Sequence, residues 1–432
     1  MKMANMDDYF DVVIVGTGAA GLYCALNLPA RYRILLLTKQ KADESDSFLA
    51  QGGICMQHGE ADYRPFFDDT MRAGHYENNP ATVDLMIRSS NSIIRDLVRR
   101  GVRFARDDHG ALRFTREGAH SRPRILFHED ITGHEITQTL LNEVLRCENI
   151  ELREHTTLLD FFADASACGG VIAVGPDGEP RAIGAGAVVL ACGGIGGLYK
   201  NSTNFPHITG DAIAMALRHG VACEHLDYIQ IHPTTLYSHR KGRRFLISES
   251  VRGEGALLLD KNGNRFTNEL QPRDVVSAAI RAQMEKDGTD HVWEDMRPIG
   301  EAAIREHFPN ILERCEEEGY DPIHEPIPVV PAQHYFMGGI TAGLSSRTAL
   351  PRLYACGETC CNGVHGRNRL ASNSLLESLV FAQRAADDIL YGEPPVFTGD
   401  KPDLAPYREQ EPLFAAYRQE VLTAIERSKN HE

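Results

Sequence analysis

Three glycines near the start of the chain have the spacing of a phosphate cradle. Gly16, Gly18 and Gly21 stand as Gly-x-Gly-x-x-Gly, with Thr17, Ala19 and Ala20 between them. Gly16 permits a tight turn, Gly18 lets the backbone approach a pyrophosphate, and Gly21 lets a helix pack closely on a strand. The chemistry this allows is dinucleotide binding, in which phosphates meet the unpaired N–H groups and the positive end of a helix. It requires a strand entering the turn and a helix leaving it. Val12-Val13-Ile14-Val15 predicts the strand, and the Ala- and Leu-rich segment through Leu28 predicts the helix.

The following elements narrow the ligand. Residues 33–38 read as a second parallel strand. A nicotinamide site places Asp or Glu at the end of that strand to hold ribose hydroxyls. Lys39 stands there, and Asp43 and Glu44 come late. The pyrophosphate site is thus retained and an NAD-dependent dehydrogenase disfavoured. A second apolar run, residues 186–192, ends in Gly193-Gly194, again suited to close approach of a ligand.

Helical spacing of Val83, Met86, Ile87, Ile93, Ile94, Leu97 and Val98 predicts a helix over 80–100, closed by Gly101. Residues 132–146 predict another, with Thr132 as N-cap and Glu135 completing a capping box. Short strands follow from 158 to 174, then the turn Pro176-Asp177-Gly178. Between 226 and 335 the texture changes to short strands, a turn at Asn262-Gly263-Asn264 and a helix over 272–286. The fold class expected is therefore α/β: a Rossmann-like dinucleotide-binding domain in two pieces, 1–225 and 336–392, with an inserted α+β domain, 226–335. Residues 393–432 read as a linker and a terminal helix.

Composition excludes several classes. The chain has 432 residues and a net charge of −15, which argues against nucleic acid or an anionic membrane as partner. No signal peptide or membrane span is visible, so a cytoplasmic protein is expected. The ten cysteines include no Cys-x-x-Cys, and no metal or cluster site is expected.

Many ordered motifs together resemble one flavoprotein family, that of succinate dehydrogenase, fumarate reductase and L-aspartate oxidase. They are Gly16-Thr-Gly18-Ala-Ala-Gly21, Ala50-Gln51-Gly52-Gly53, Ala191-Cys-Gly-Gly194, Thr209-Gly-Asp211-Ala-Ile-Ala-Met215, His232-Pro233-Thr234, Arg252-Gly-Glu-Gly255, Pro272-Arg273-Asp274, His334-Tyr335, Tyr354-Ala-Cys-Gly-Glu358 and Asn368-Arg369-Leu-Ala-Ser-Asn373-Ser374-Leu375. The resemblance implies a Rossmann-like FAD-binding domain with the insert, 226–335, as an α+β capping domain, and FAD held by Gly16, Gly18, Ala19, Ala20, Gly21, Lys39, Ser47, Gln51, Gly52, Gly53, Gly193, Asp211, Glu358, Ser374 and Leu375. Ser374 and Leu375 would set a helix N-terminus near the flavin pyrimidine, where the dipole favours an anion. Membrane-bound members attach FAD through a histidine, and Asp46 occupies the matching position, so non-covalent FAD is expected. The loop Thr115-Arg-Glu117-Gly-Ala-His-Ser121 resembles one that supplies a carboxylate to a substrate ammonium.

The implied reaction is oxidation of L-aspartate to iminoaspartate, with oxygen or fumarate as acceptor, in de novo NAD biosynthesis. Hand-off of product to quinolinate synthase is a further expectation. L-aspartate is a dianion with one ammonium. Arg369 offers a planar fork for one carboxylate. His232 and His334 can donate to the other, with Gln230 and Ser248 as neutral donors. Glu117 meets the amine, and Arg273 matches the family's proton-transferring arginine. A free arginine holds its proton far above neutrality, so that role needs burial against other cations. The alternatives are a soluble fumarate reductase of the same family or a flavoprotein subunit of a larger complex. The chain departs from the family at Arg367, where a small residue is usual, and in having sequence for only one helix after the linker.

Overall fold

The computed structural model describes residues 8–239, 242–392 and 395–430. The first ten residues, read for a signal peptide, lie largely outside the described residues. Strand Tyr9–Val15 is central in the main sheet, parallel to Ile34–Leu37 on one side and Pro180–Leu190 on the other. Ile150–Arg153 extends the parallel part beyond Ile34–Leu37. On its other edge the long strand Pro180–Leu190 meets two further strands in succession. Its N-terminal half pairs antiparallel with Cys168–Val174, which pairs in turn with Thr157–Ala163. Its C-terminal end pairs parallel with Leu353–Ala355, so a segment far along the chain completes the sheet.

The near-continuous apolar run of the first strand follows from burial on both faces. Val12 and Ile14 join one core with helices Ala19–Asn27, Pro80–Arg100, Thr132–Val144 and Asn373–Tyr391. Val13 and Val15 join the opposite core with helices Asp211–Arg218 and Gln410–Lys429. The terminal helix buries Tyr417, Val421 and Ile425 there, and Arg218 pairs with Glu420 at 2.6 Å. In the described part of the Pro/Gly-rich segment before it, Phe397 packs on Phe162 and Thr398 N–H donates to Asp164 at 2.8 Å. That stretch is docked on the hairpin; Glu393 and Pro394 lie outside the described residues.

A second, antiparallel sheet runs Ile229–Leu236, Ile327–Phe336, Val292–Asp295, Leu257–Leu259. With helices Arg273–Asp287, Glu301–His307 and Pro309–Glu317 it encloses a core of its own, including Ile247, Val276, Ile280, Phe308 and Ile327. Asp130, from the other part of the chain, caps helix Pro309–Glu317 by accepting from Ile311 N–H at 2.8 Å.

The helix over 80–100 forms as its periodicity dictates, with Asn79 as N-cap and Gly101 at φ +103° closing it. The capping box at Thr132 does not form. Thr132 is the first helical residue, accepts from His128 N–H at 3.0 Å and donates to Gly52 O. Glu135 instead takes the guanidinium of Arg103 at 2.9 Å. Three bonds from Arg103, two from its guanidinium and one from its backbone N–H, occupy the Glu135 carboxylate in place of the single bond that a capping box would give it.

Candidate active site

One cavity of about 1690 Å³, its open mouth included, runs from the glycine turn to the junction of the two sheets. All the expected site residues line it except Ala19, Gly21 and Gln230. Gly21 lies one step behind, where a Cβ would come within 1.9 Å of Gly16 O. Gly16 itself holds φ +114° against Ala191. The backbone N–H of Ala19 faces Ser47 Oγ at 3.0 Å, and Gly18 offers the helix no side-chain cap. Around this turn the buried hydroxyls of Thr17 and Ser45 have no protein partner. A turn open to close approach, with orphaned donors beside it, fits a pyrophosphate. Lys39 is paired to Asp211 at 2.7 Å and donates to His207 O, so it braces the wall rather than standing free. Glu358 accepts from Phe336 N–H at 2.9 Å, and burial followed by Asp46 raises its pKa well above the carboxylate range.

Strands Ile229–Leu236 and Ile327–Phe336 carry the two histidines. Their ladder shifts register between Gln230 and Ile231 and again between His232 and Thr235, across Pro233. Bulges re-aim side chains beside functional sites, and proline is tolerated in them. The His232 and His334 rings meet edge to face, with centroids 5.1 Å apart. Nδ1 of His334 faces Thr203 Oγ1 at 2.7 Å, and Nε2 of His232 is buried without a partner. Burial and the nearby Arg273 hold both rings well below the usual histidine pKa. They are therefore neutral hydrogen-bonding groups.

Arg273 is the first residue of helix Arg273–Asp287 and is 7% exposed. Its Nε donates to Glu249 Oε2 at 2.5 Å and its Nη1 to Gln230 Oε1 at 2.9 Å. Beyond Glu249 the fully buried Arg252 stands 3.7 Å away. Gln230 spends its amide nitrogen on Asn368 Oδ1 and Arg369 O, both at 2.8 Å, so it is a strut between the two arginine segments. Arg369 donates to Ser374 Oγ at 2.8 Å and lies over the Tyr335 ring, while its Nε has no partner. Burial and the Arg273 charge lower its pKa to about 10.

Glu117 stands opposite these cations and is 3% exposed. Its two oxygens accept from Ser250 Oγ at 2.8 Å and Ser372 Oγ at 2.6 Å. A carboxylate has about four acceptor positions, so capacity remains for a ligand donor. Gly52 is required beneath it, since a Cβ there would come within 2.6 Å of Oε1. Burial and the Glu249 charge raise the Glu117 pKa, against the lowering by Ser372 and Arg273. Ser248 caps helix Glu249–Gly253 on the cavity wall. Arg367 is not on that wall; it lies over Tyr228 and 3.7 Å from Glu77.

The sequence reading overlooked Glu249, Thr203, Thr17 and Ser45. Glu249 had one visible signal, its place three residues before Arg252 on a helical turn. Among the described residues no cluster of His, Cys, Asp or Glu is suited to a metal ion.

The fold and the cavity define a flavoprotein. A family model described as an FAD binding domain matches residues 11–375. The chain is 48% identical to an L-aspartate oxidase of Clostridium perfringens over 88% of its own length and 86% of that protein's. It is 44% identical to an L-aspartate oxidase of Nostoc, over 98% of this chain and 76% of the relative. A quinol–fumarate reductase structure with menaquinol molecules superposes with a TM-score of 0.84 at 32% identity, covering 95% of this chain and 75% of that one. The chain belongs to the L-aspartate oxidase family of FAD-dependent oxidoreductases.

Proposed function

We propose that this chain oxidises L-aspartate to iminoaspartate at the inner end of the cavity, serving NAD biosynthesis. The reading rests on one observation: buried Arg273, Arg369 and Glu117 line the same space, and of its two buried carboxylates Glu249 is spent on Arg273, which leaves Glu117 for the single ammonium of a dianion. FAD, when bound, supplies the two-electron acceptor that takes hydride from the substrate. Thr17, Ser45, Ser47 and the glycine turn would hold its phosphates. Ser374 and Leu375, in the first turn of helix Asn373–Tyr391, would hold its ring.

The protein's own part is to bind, orient and manage protons. Arg369 presents its free Nε edge to one carboxylate, and neutral His232 and His334 serve the other. Glu117 takes the ammonium. In the reverse sense, with fumarate as acceptor, Arg273 gives a proton to the carbon opposite the hydride and recovers it through Glu249. The Arg273–Glu249–Arg252 row supports this, being buried and in contact. Oxygen is the alternative acceptor. The expected hand-off of product to quinolinate synthase fits a chain that releases an unstable imine.

The purified, FAD-loaded chain should form peroxide and ammonia from L-aspartate and leave succinate untouched. Comparable oxidation of succinate would make it a dehydrogenase of the deaminated acid. FAD should be non-covalent, because Asp46 offers a carboxylate where attachment needs an imidazole. Acid precipitation is expected to give a colourless pellet and a yellow supernatant; a pellet that stays yellow after washing contradicts this.

A pH effect follows from the raised Glu117 pKa. Amine recognition needs the ionised carboxylate, so it is present above the folded pKa and lost as pH falls through it. The kcat/KM for L-aspartate should therefore decline on the acid side at a higher pH than an ordinary carboxylate gives. Fumarate reduction should lack that limb, and Glu117→Gln should abolish it. An identical acid limb for both reactions would assign it to another group.

A further inference from the structure

The loop carrying Glu117 is anchored by a buried cation that the reaction itself does not use. Arg124 is wholly buried and donates to Asp62 Oδ1 at 3.0 Å, to Asp69 Oδ2 at 2.8 Å and to Nδ1 of His120 at 2.8 Å. A guanidinium can only donate, so Nδ1 of His120 accepts and its Nε2 carries the proton. That Nε2–H donates to Ala371 O at 3.0 Å. The next residue, Ser372, sits at φ +61°, donates to Glu117 Oε2 and accepts from Gly53 N–H at 3.1 Å. A ring of contacts is thereby closed. It runs from Glu117 along the chain to His120, across to Ala371, and back through the Ser372 hydroxyl. Ala119 turns the corner at φ +64°, a conformation that a residue with a side chain keeps only where its surroundings impose it.

Resting on the assignment of Glu117 to the substrate amine, we propose that His120 is a positioning residue for amine recognition. Locked in one tautomer by Arg124, it fixes the Glu117 loop against the start of helix Asn373–Tyr391. It thereby sets the preference for an amino diacid over its deaminated analogue. Burial and the Arg124 charge push the His120 pKa down to about 4, so the ring stays neutral in working conditions. The two substrate arginines are held by other contacts. Arg273 rests on Glu249 and Gln230, and Arg369 on Ser374. Loss of the His120 contacts should therefore act on the amine and spare the carboxylates.

The test uses the FAD-loaded chain and two reactions on each preparation, L-aspartate oxidation and fumarate reduction. His120→Asn keeps an acceptor near Arg124 and cannot reach Ala371. It should lower kcat/KM for L-aspartate about ten- to a hundredfold, mostly through KM, since the Ala371 carbonyl is left with only the weak thiol donor of Cys55 at 3.6 Å and Glu117 loses its aim. Fumarate reduction should change less than about threefold. His120→Gln restores a donor at the Nε2 position and should recover most of the loss. Equal losses in both reactions at unchanged FAD content and Tm, or no rescue by Gln, would overturn the proposal. Glu117→Gln in parallel separates the two ideas. If it fails to discriminate the reactions, the amine assignment falls; if it discriminates and His120→Asn does not, only the role of His120 falls.

Discussion

Arg273→Leu is expected to lower fumarate reduction by about 10²- to 10⁴-fold, the range for loss of a positioned proton donor. The flavin spectrum should be unchanged, because the glycine turn and its hydroxyls lie in another part of the cavity. The substitution also strands Glu249, which loses its 2.5 Å partner and keeps only the more distant Arg252. Breaking one side of a buried pair costs about 3–5 kcal/mol, so a lower Tm should accompany the lost activity. Arg273→Lys tests which effect dominates. A lysine retains the charge for Glu249 but cannot bond Gln230 through the same planar fork. Stability should recover more than turnover. If Arg273→Leu still reduces fumarate at the parent rate, another group carries the proton.

Glu117→Gln should separate the two substrates. Losing a charge-assisted hydrogen bond in a desolvated pocket costs about 2–4 kcal/mol, or roughly 30- to 1000-fold in kcat/KM. That loss is expected for L-aspartate alone. Fumarate carries no ammonium, and removing a carboxylate removes repulsion of a dianion, so its reduction should hold or improve. The amide can still accept from one of the hydroxyls of Ser250 and Ser372, which keeps the loop in place. Equal losses would mean that Glu117 holds the loop rather than reading the amine.

The parts legible in the sequence were those carried by local pattern. The glycine turn between Val15 and Ala19 and the helix closed by Gly101 follow from nearest neighbours. So do the apolar runs of the parallel sheet. Residues matched to family motifs line one cavity even though they come from distant segments, as Glu117, His232, Arg273 and Arg369 do. What remained hidden depends on long-range pairing. Gln230 looked like a substrate donor, yet its amide ties Arg273 to the Arg369 segment. Lys39 and Asp211 were each expected to hold the cofactor, but nothing local marks the salt bridge that joins them across the chain. Glu135 abandons its capping box because Arg103 lies within reach only after folding. The contacts among Arg124, His120 and Ala371 likewise leave no periodic trace.

L-aspartate should deliver electrons to FAD in this cavity. Anaerobic mixing of the purified, FAD-loaded chain with L-aspartate, with the flavin absorbance followed, measures that transfer directly. Bleaching of the oxidised band by L-aspartate, absent with succinate and restored by admitting oxygen or fumarate, is the predicted result. A band that stays unbleached by L-aspartate, or that succinate bleaches as readily, would contradict the account.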